Sequence, residues 1–183
     1  MASSSEESRY PFECDPSVHK YQVSEKEYLG QNSQHHVVCV GITIFNEENK
    51  LLLVQRAKSE KAFPCFWEIP GGKVDEPDTT ILHGAVRELK EETGLEATRI
   101  VRKVGTFEFG DGAVRWVKHI FEMEVKSLAT LALDPVEHDA YLWASEEEVK
   151  AEQVGEVKLK YISPDNKFIK LEAFRHRRET ASL

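Results

Sequence analysis

Residues 37–45, with the sequence VVCVGITIF, constrain the fold of this chain more than any other segment. Nearly every residue is apolar and most are β-branched, a composition that favours a β-strand. The run is far shorter than the ~20 apolar residues that cross a bilayer. Because it lacks an alternating polar face, water cannot cover either side of it. The segment therefore predicts a strand that is buried on both faces.

Strand and helix patterns alternate along the rest of the chain. Residues 51–57 (LLLVQRA) follow a polar turn at 46–49 and predict a returning strand. Residues 79–93 carry one apolar face at helical spacing, and Gly94 stands where that helix should end. Other predicted elements are a strand at 66–70, a hairpin around Gly110-Asp111-Gly112, a strand at 140–143, and helices that open at Ser145 and Ser163. The order predicts an α/β domain with helices packed on a largely mixed sheet.

The N-terminal part of the chain differs from this pattern. It is rich in Ser, Glu and Lys and shows little periodicity, so we expect an extension that is partly flexible. Tyr21, Val23 and Tyr28 suggest that a piece of it docks on the domain. The expected divisions are an extension at 1–34, a domain at 35–178 and a tail at 179–183.

Charge and composition exclude several classes of function. The chain has 183 residues, 40% of them hydrophobic, and a formal net charge of -8. A surface of that sign repels polyanions, which argues against a nucleic-acid polymer or a membrane surface as partner. The N-terminus lacks the basic and apolar stretches of a secretory signal, so we expect a cytoplasmic protein, with the nucleus as the alternative. The three cysteines do not have zinc-site spacing.

Three glutamates share one side of the predicted helix at 79–93. Glu88, Glu91 and Glu92 stand at i, i+3 and i+4, so their side chains are neighbours and repel one another. Arg87 and Lys90 flank them, but helical spacing turns both partly elsewhere. A divalent cation is the stronger counter-charge, and Mg²⁺ prefers such oxygen ligands. The alternative is a solvated acidic helix face, which is the commoner situation.

Residues 71–95, GGKVDEPDTTILHGAVRELKEETGL, resemble the Nudix box, G-x5-E-x7-R-E-U-x-E-E-x-G-U with U aliphatic. Every fixed position of the second half matches, from Arg87 to Leu95. The first half departs from the pattern, because Asp78 stands near the place of the first Glu and one residue is inserted. The preceding FWEIPGGKV is similar to MutT-like members, and DEPDTTILHGAVREL is similar to a branch common in filamentous fungi.

The resemblance implies a fold, a metal site and catalytic residues. The fold would be a Nudix-like α/β/α sandwich with a mixed β-sheet. The implied metal ligands are the carbonyl of Gly71 and the carboxylates of Glu88, Glu91, Glu92 and Glu137, with Asp139 as the alternative to Glu137. Glu88 or Glu91 would be the general base, and Arg87 would orient the glutamates. His119 and His138 are not expected to be ligands.

Three further residues are candidates for binding substrate. Arg56 and Lys73 could contact phosphate, and Phe66 could stack on a base. For Arg56 and Lys73 an exposed structural role is about equally compatible with the sequence, and Trp67 is expected in the core.

The predicted reaction is Mg²⁺-dependent hydrolysis, with Mn²⁺ as the alternative ion. The substrate would be a small nucleotide-like diphosphate, either a nucleoside diphosphate linked to a group X or a nucleoside triphosphate. One rival is a catalytically inactive module that binds a nucleotide metabolite. Another is an isoprenoid-diphosphate isomerase, which would need a catalytic cysteine such as Cys65. The oligomeric state, monomer or homodimer, stays open.

Overall fold

A computed structural model describes residues 11–110 and 112–181. Two β-sheets, one small hairpin and four α-helices account for its regular structure. The strands are β1 (Glu13–Cys14), β2 (Val37–Thr43), β3 (Leu51–Arg56), β4 (Trp67–Glu68), β5 (Ala97–Gly110), β6 (Arg115–Val125), β7 (His138–Ala144), β8 (Gln153–Val154) and β9 (Val157–Lys158). The helices are α1 (Glu25–Gln31), α2 (Ile81–Thr93), α3 (Glu146–Ala151) and α4 (Pro164–Ala181).

The first sheet has four strands in the order β1-β5-β6-β2. It is mixed, because β1 runs parallel to β5, β5 antiparallel to β6, and β6 parallel to β2. Alternate residues of β2, among them Val38, Val40 and Ile42, share one core cluster with Leu82 and Leu89 of α2. This arrangement confirms the predicted mixed α/β fold, and β2 is buried along nearly its whole length.

The predicted return of the chain from β2 to β3 is only partly correct. The two strands meet at a single bridge between Phe45 and Leu51. Beyond it β3 enters a second, antiparallel sheet of order β4-β3-β7. The reason lies at the edge of β2, where Val40 donates its N–H to Gly72 and Ile42 donates to Pro70, both at 2.8 Å. Because residues 70–74 occupy this edge, β3 must pair elsewhere.

The second core cluster lies between the two sheets and the C-terminal helix. Ile169 and Phe174 of α4 pack there with Trp67, so the expected core position of Trp67 is confirmed. Gly105 allows α4 to pack closely against β5, since a Cβ there would lie 2.4 Å from Cδ1 of Ile169. On the opposite side of the helix Phe168 is 60% exposed.

The described part of the N-terminal segment packs on the first sheet. β1 extends that sheet beside β5, and a 3-10 helix over Pro16–Tyr21 buries Val18 and Tyr21 in the core. The ring of Tyr21 lies 5.2 Å from that of Phe121, and Tyr28 packs at the cluster's edge. Docking of this segment is therefore confirmed, whereas the division of the chain at residue 35 stays a prediction.

The ends of the helices follow local sequence signals. Thr80 caps α2 by accepting the N–H of His83, and Gly94 ends it in the left-handed conformation. Ser145 and Glu148 form a capping box at α3. Helix α4 continues to Ala181, and the division of the chain at residue 178 stays a prediction. Asp111 of the predicted hairpin turn lies outside the described residues. Among those residues, no helix is both long and apolar enough to span a bilayer.

We expect Tyr21→Ala to lower the free energy of unfolding by about 3 kcal/mol, because it removes a buried aromatic ring from the main core. Phe168→Ala is the matched control, since this exposed ring should contribute less than about 0.5 kcal/mol. Urea denaturation of both variants measures the difference. Equal losses would show that the N-terminal segment is not an integral part of the folded domain.

Candidate active site

Helix α2 presents the three predicted glutamates to different surroundings. Glu88 and Glu92 are buried, with 9% and 4% of their surface exposed. Glu91 keeps 55% of its side chain exposed. Buried carboxylates need partners, because desolvation of a lone charge costs several kcal/mol. The simple alternative of a solvated acidic face is therefore wrong for Glu88 and Glu92.

Residues 70–74 bring two glycines onto this face of α2. Gly71 donates its N–H to Oε2 of Glu92 at 2.8 Å. Its φ is +142°, and a Cβ there would lie 2.2 Å from the carbonyl oxygen of Val40. A Cβ on Gly72 would lie 2.6 Å from Oε2 of Glu88. Only glycine allows this close contact between the backbone and the two carboxylates.

Arg87 joins the exposed and the buried part of the site. Its Nη1 lies 2.9 Å from Glu88 and 2.8 Å from Glu91, and Nη2 donates to the carbonyl of Lys73 at 3.0 Å. The expectation that Arg87 points partly away from the glutamates is therefore wrong, because its long side chain folds back over them. Hydrogen bonds to Asp78 are the main cause that raises the pKa of Arg87, followed by its other carboxylate partners, although burial opposes them.

Asp78 lies where the sequence departs from the box pattern. It accepts from Arg87 at two atoms, at 2.9 and 2.8 Å, and from the N–H of Asp75 at 2.8 Å. A Cβ on Gly84 would come within 2.9 Å of Asp78. The mid-helix glycine thus makes room for the loop, and the loop in turn holds Arg87.

A second acidic group approaches from the loop before β7. Ligand atoms of Glu92, Glu137 and His138 all lie within 4.8 Å of one another. His138 is buried, and its Nε2 lies 3.6 Å from Oε1 of Glu68, a contact longer than a normal hydrogen bond. Asp139 instead accepts the N–H of Lys58 at 2.8 Å, which leaves Glu137 as the better-placed carboxylate. His138 was not expected to be a ligand, and only the fold brings it beside Glu92.

The electrostatics of the site fit a cation. Burial raises the pKa of Glu92 well above its usual value, and Glu68 and Glu88 raise it further, although the Gly71 N–H opposes them. Burial is also the main cause that raises the pKa of Glu88, against the effect of Arg87. Such carboxylates lack enough positive charge nearby. Carboxylate oxygens gathered beside a backbone loop match the chemistry of a hard divalent cation, so the residues fit Mg²⁺ or Mn²⁺.

The three predicted substrate contacts have different surroundings. Arg56 pairs with Glu68 at 2.8 Å and with Glu60 at 2.9 Å, so much of its guanidinium is occupied. Lys73 is exposed beside the glycine loop. Phe66 packs edge-on against Phe63 at 5.7 Å between ring centroids. Their roles in binding stay predictions.

The histidine and cysteine candidates differ in their burial. His119 is buried against Tyr21 and Thr106, and burial lowers its pKa to about 3. Cys39 is buried, as expected of a core cysteine. Cys65 is exposed in the loop before β4.

Comparison with known proteins agrees with this geometry. A family model described as the NUDIX domain matches residues 35–164. The chain belongs to the Nudix family. A crystal structure of a MutT protein from Methanosarcina mazei Go1 is similar, with a TM-score of 0.61 and 26% identity over 79% of this chain and 96% of that one. The predicted family and fold class are confirmed.

Curated Nudix relatives align over different shares of their length. The CTP pyrophosphohydrolase of Escherichia coli K12 is 39% identical over 117 residues, which cover 61% of this chain and 78% of that protein. The m7GpppN-mRNA hydrolase NUDT17 of Danio rerio is 42% identical over 74 residues, or 39% of this chain. The chain spans only 24% of the length of that relative.

We expect Mg²⁺ to stabilise the protein more at about pH 8 than at about pH 5. The folded pKa values of Glu88 and Glu92 are raised, so their contribution to stability without metal is present at low pH and lost as the pH rises through those values. A cation requires the ionised carboxylates and reverses this loss. Thermal melts with and without Mg²⁺ measure it, with Glu92→Gln as control. An equal shift at both pH values would contradict the cation site.

Proposed function

We propose that this protein hydrolyses a diphosphate linkage in a nucleoside diphosphate linked to a group X or in a nucleoside triphosphate, with Mg²⁺ as cofactor and Mn²⁺ as substitute. One observation carries the proposal. Two buried carboxylates of α2, Glu88 and Glu92, converge on the glycine pair 71–72 with too little positive charge around them. We further assign this activity to a domain at 35–178.

The residues that would hold the cation are the carbonyl of Gly71 and the carboxylates of Glu88, Glu91, Glu92 and Glu137. When bound, Mg²⁺ would neutralise the charge of the diphosphate and make its phosphorus a better electrophile. The chain itself supplies the rigidity of the site. Gly71 fixes Glu92 by its N–H, and Arg87 fixes Glu88 and Glu91 by ion pairs.

Proton transfer is assigned to a carboxylate of α2. Glu88 and Glu91 are the two candidates for accepting a proton from the attacking water. Burial raises the pKa of Glu88 towards the range where a general base works best, and Arg87 beside it keeps it oriented. Glu91 is more accessible to water, because its side chain is much less buried than that of Glu88. We therefore favour Glu88 as the base.

The substrate is proposed to be a small nucleotide. The relative matched over most of its own length carries the name CTP pyrophosphohydrolase, which supports a nucleoside triphosphate. Other relatives are named RNA pyrophosphohydrolase, so a 5′ end of RNA belongs in the test. Arg56 and Lys73 would meet phosphate and Phe66 a base. The net charge of -8 favours a metal-complexed small anion over a polymer.

The inactive binding module is the weaker alternative. A protein that only bound a nucleotide would not need the repulsion among Glu88, Glu91 and Glu92, which costs helix stability. Here all three remain, and Arg87 and Gly71 hold them in place.

The direct test is a panel of nucleoside triphosphates, sugar nucleotides, dinucleotides and triphosphorylated RNA with Mg²⁺, in which released phosphate and pyrophosphate are measured. We expect turnover of at least one small nucleotide and its loss with a chelator. Nucleotide binding by calorimetry without turnover of any panel member would favour the inactive module instead.

We expect Glu92→Gln and Glu91→Gln each to lower kcat by roughly 100-fold or more, because each removes a charge that the metal-assisted reaction uses. Glu96→Gln is the matched control, since Glu96 follows the same helix but pairs with Lys90 on the surface. Circular dichroism should show that all three variants keep the fold. Full activity in both site variants would refute the assignment.

A further inference from the structure

Lys118 lies on β6, close enough to the acidic centre of Glu68, Glu88 and Glu92 to act on the charge of Glu68 and Glu92. Its Cα pairs with that of Cys39 on β2, so both side chains share one side of the sheet. The neighbours Val117 and His119 point to the opposite side, where Val117 joins the core under α2. Sequence reasoning did not single out Lys118, because only the parallel register of β2 and β6 places it here.

Gly41 on β2 has no side chain, which leaves room for the side chain of Lys118 to lie over it. A Cβ on Gly41 would lie 3.0 Å from Cε of Lys118, so the lysine covers this glycine. Gly71 packs against the same residue, since its own Cβ would lie 2.7 Å from Cα of Gly41. Gly71 in turn binds Glu92 through its N–H. Lys118 and Gly71 thus both pack against Gly41, and the N–H of Gly71 binds the buried carboxylate of Glu92.

The charge of Lys118 is not committed to any one partner. Within residues 11–110 and 112–181 its ammonium makes no ion pair or hydrogen bond, whereas Arg87 and Arg56 are each occupied by at least two carboxylates. The positive charge of Lys118 nevertheless acts on the buried carboxylates of Glu68 and Glu92. Burial dominates the raised pKa of Glu92, and the ammonium of Lys118 opposes that rise. Lys118 is half-buried.

We propose that Lys118 is a phosphate-binding residue, whose ammonium contacts a phosphate oxygen of the diphosphate once a cation neutralises the carboxylates. This inference rests on the proposed function and adds to it a contact that the Nudix-box pattern does not contain. A cation at Glu88 and Glu92 satisfies those carboxylates, which frees the lysine for the anion. A compact ammonium suits this task, because it binds phosphate as a point charge.

The competing interpretation is that Lys118 serves only as a counter-charge for Glu68 and Glu92. Removal of the lysine would then affect metal binding and stability but not the affinity for a diphosphate at saturating Mg²⁺. The two interpretations therefore differ in one measurable quantity.

The test uses the full chain and methylenediphosphonate, a diphosphate that cannot be hydrolysed at its bridge. Its dissociation constant at saturating Mg²⁺ is measured by calorimetry for the wild type, Lys118→Met and Lys118→Arg. The methionine variant keeps the aliphatic stem, and the arginine variant keeps the charge. Lys126→Met is the matched control, because Lys126 directly follows the same strand and its side chain is 75% exposed.

We expect Lys118→Met to weaken diphosphonate binding by about tenfold or more, the usual loss for a charge-assisted hydrogen bond. Lys118→Arg should recover most of it, and Lys126→Met should match the wild type. Mg²⁺ affinity measured without the diphosphonate should stay equal or rise, since a positive charge has been removed. Unchanged diphosphonate affinity in Lys118→Met, or no recovery with arginine in a folded variant, would overturn the proposal.

Kinetics separate this inference from the proposed function. With the best nucleotide of the panel, Lys118→Met should raise KM about tenfold if the contact forms in the ground state, and should lower kcat as well if it tightens in the transition state. A wild type that turns over no panel member would refute the proposed hydrolysis, whatever the variants bind. An active wild type with an unaltered KM and kcat in Lys118→Met would refute this inference alone.

Discussion

The buried carboxylate of Glu92 is the constraint on which the rest of the site depends. One backbone N–H, from Gly71, is its only short hydrogen-bond donor among the described residues, and Glu68 and Glu88 stand nearby with the same charge. One such bond offsets only part of the cost of removing a carboxylate from water. The folded chain therefore holds a site whose electrostatics are completed by a ligand of positive charge.

The edge of β2 explains how the chain builds this site. Residues 70–74 take the place of a neighbouring strand there, which sends β3 into a second sheet and leaves the glycine loop between α2 and the two sheets. A single rearrangement of strand pairing thus separates the sheets, places Gly71 over Glu92 and opens the face on which Lys118 lies. Side chains at 71 and 72 would block this arrangement, so the two glycines are required by geometry.

Local signals predicted the elements and the box but not what the fold adds to them. Helix α2, its cap at Gly94 and the long hairpin follow from periodicity and turn residues, and the glutamates follow from their spacing. The pairing of β3 with a second sheet was not predictable from local pattern, because the later segment 70–74 occupies the edge of β2. For the same reason Lys118 was not singled out and His138 was not expected to be a ligand, since only long-range contacts bring them to the centre.

Charges of opposite sign reach the centre from different elements. Helix α2 supplies the carboxylates, whereas the strands supply Arg56 and Lys118. Without a cation the ammonium of Lys118 offsets the charge of the carboxylates only in part. A bare anion would therefore meet repelling carboxylates, and a bare cation would meet the repelling ammonium of Lys118. A metal-complexed diphosphate removes both conflicts together, because its metal faces the carboxylates and its remaining phosphate oxygens face the cations. The arrangement therefore favours the complex over either of its parts, which is how an acidic protein can select a polyanionic substrate.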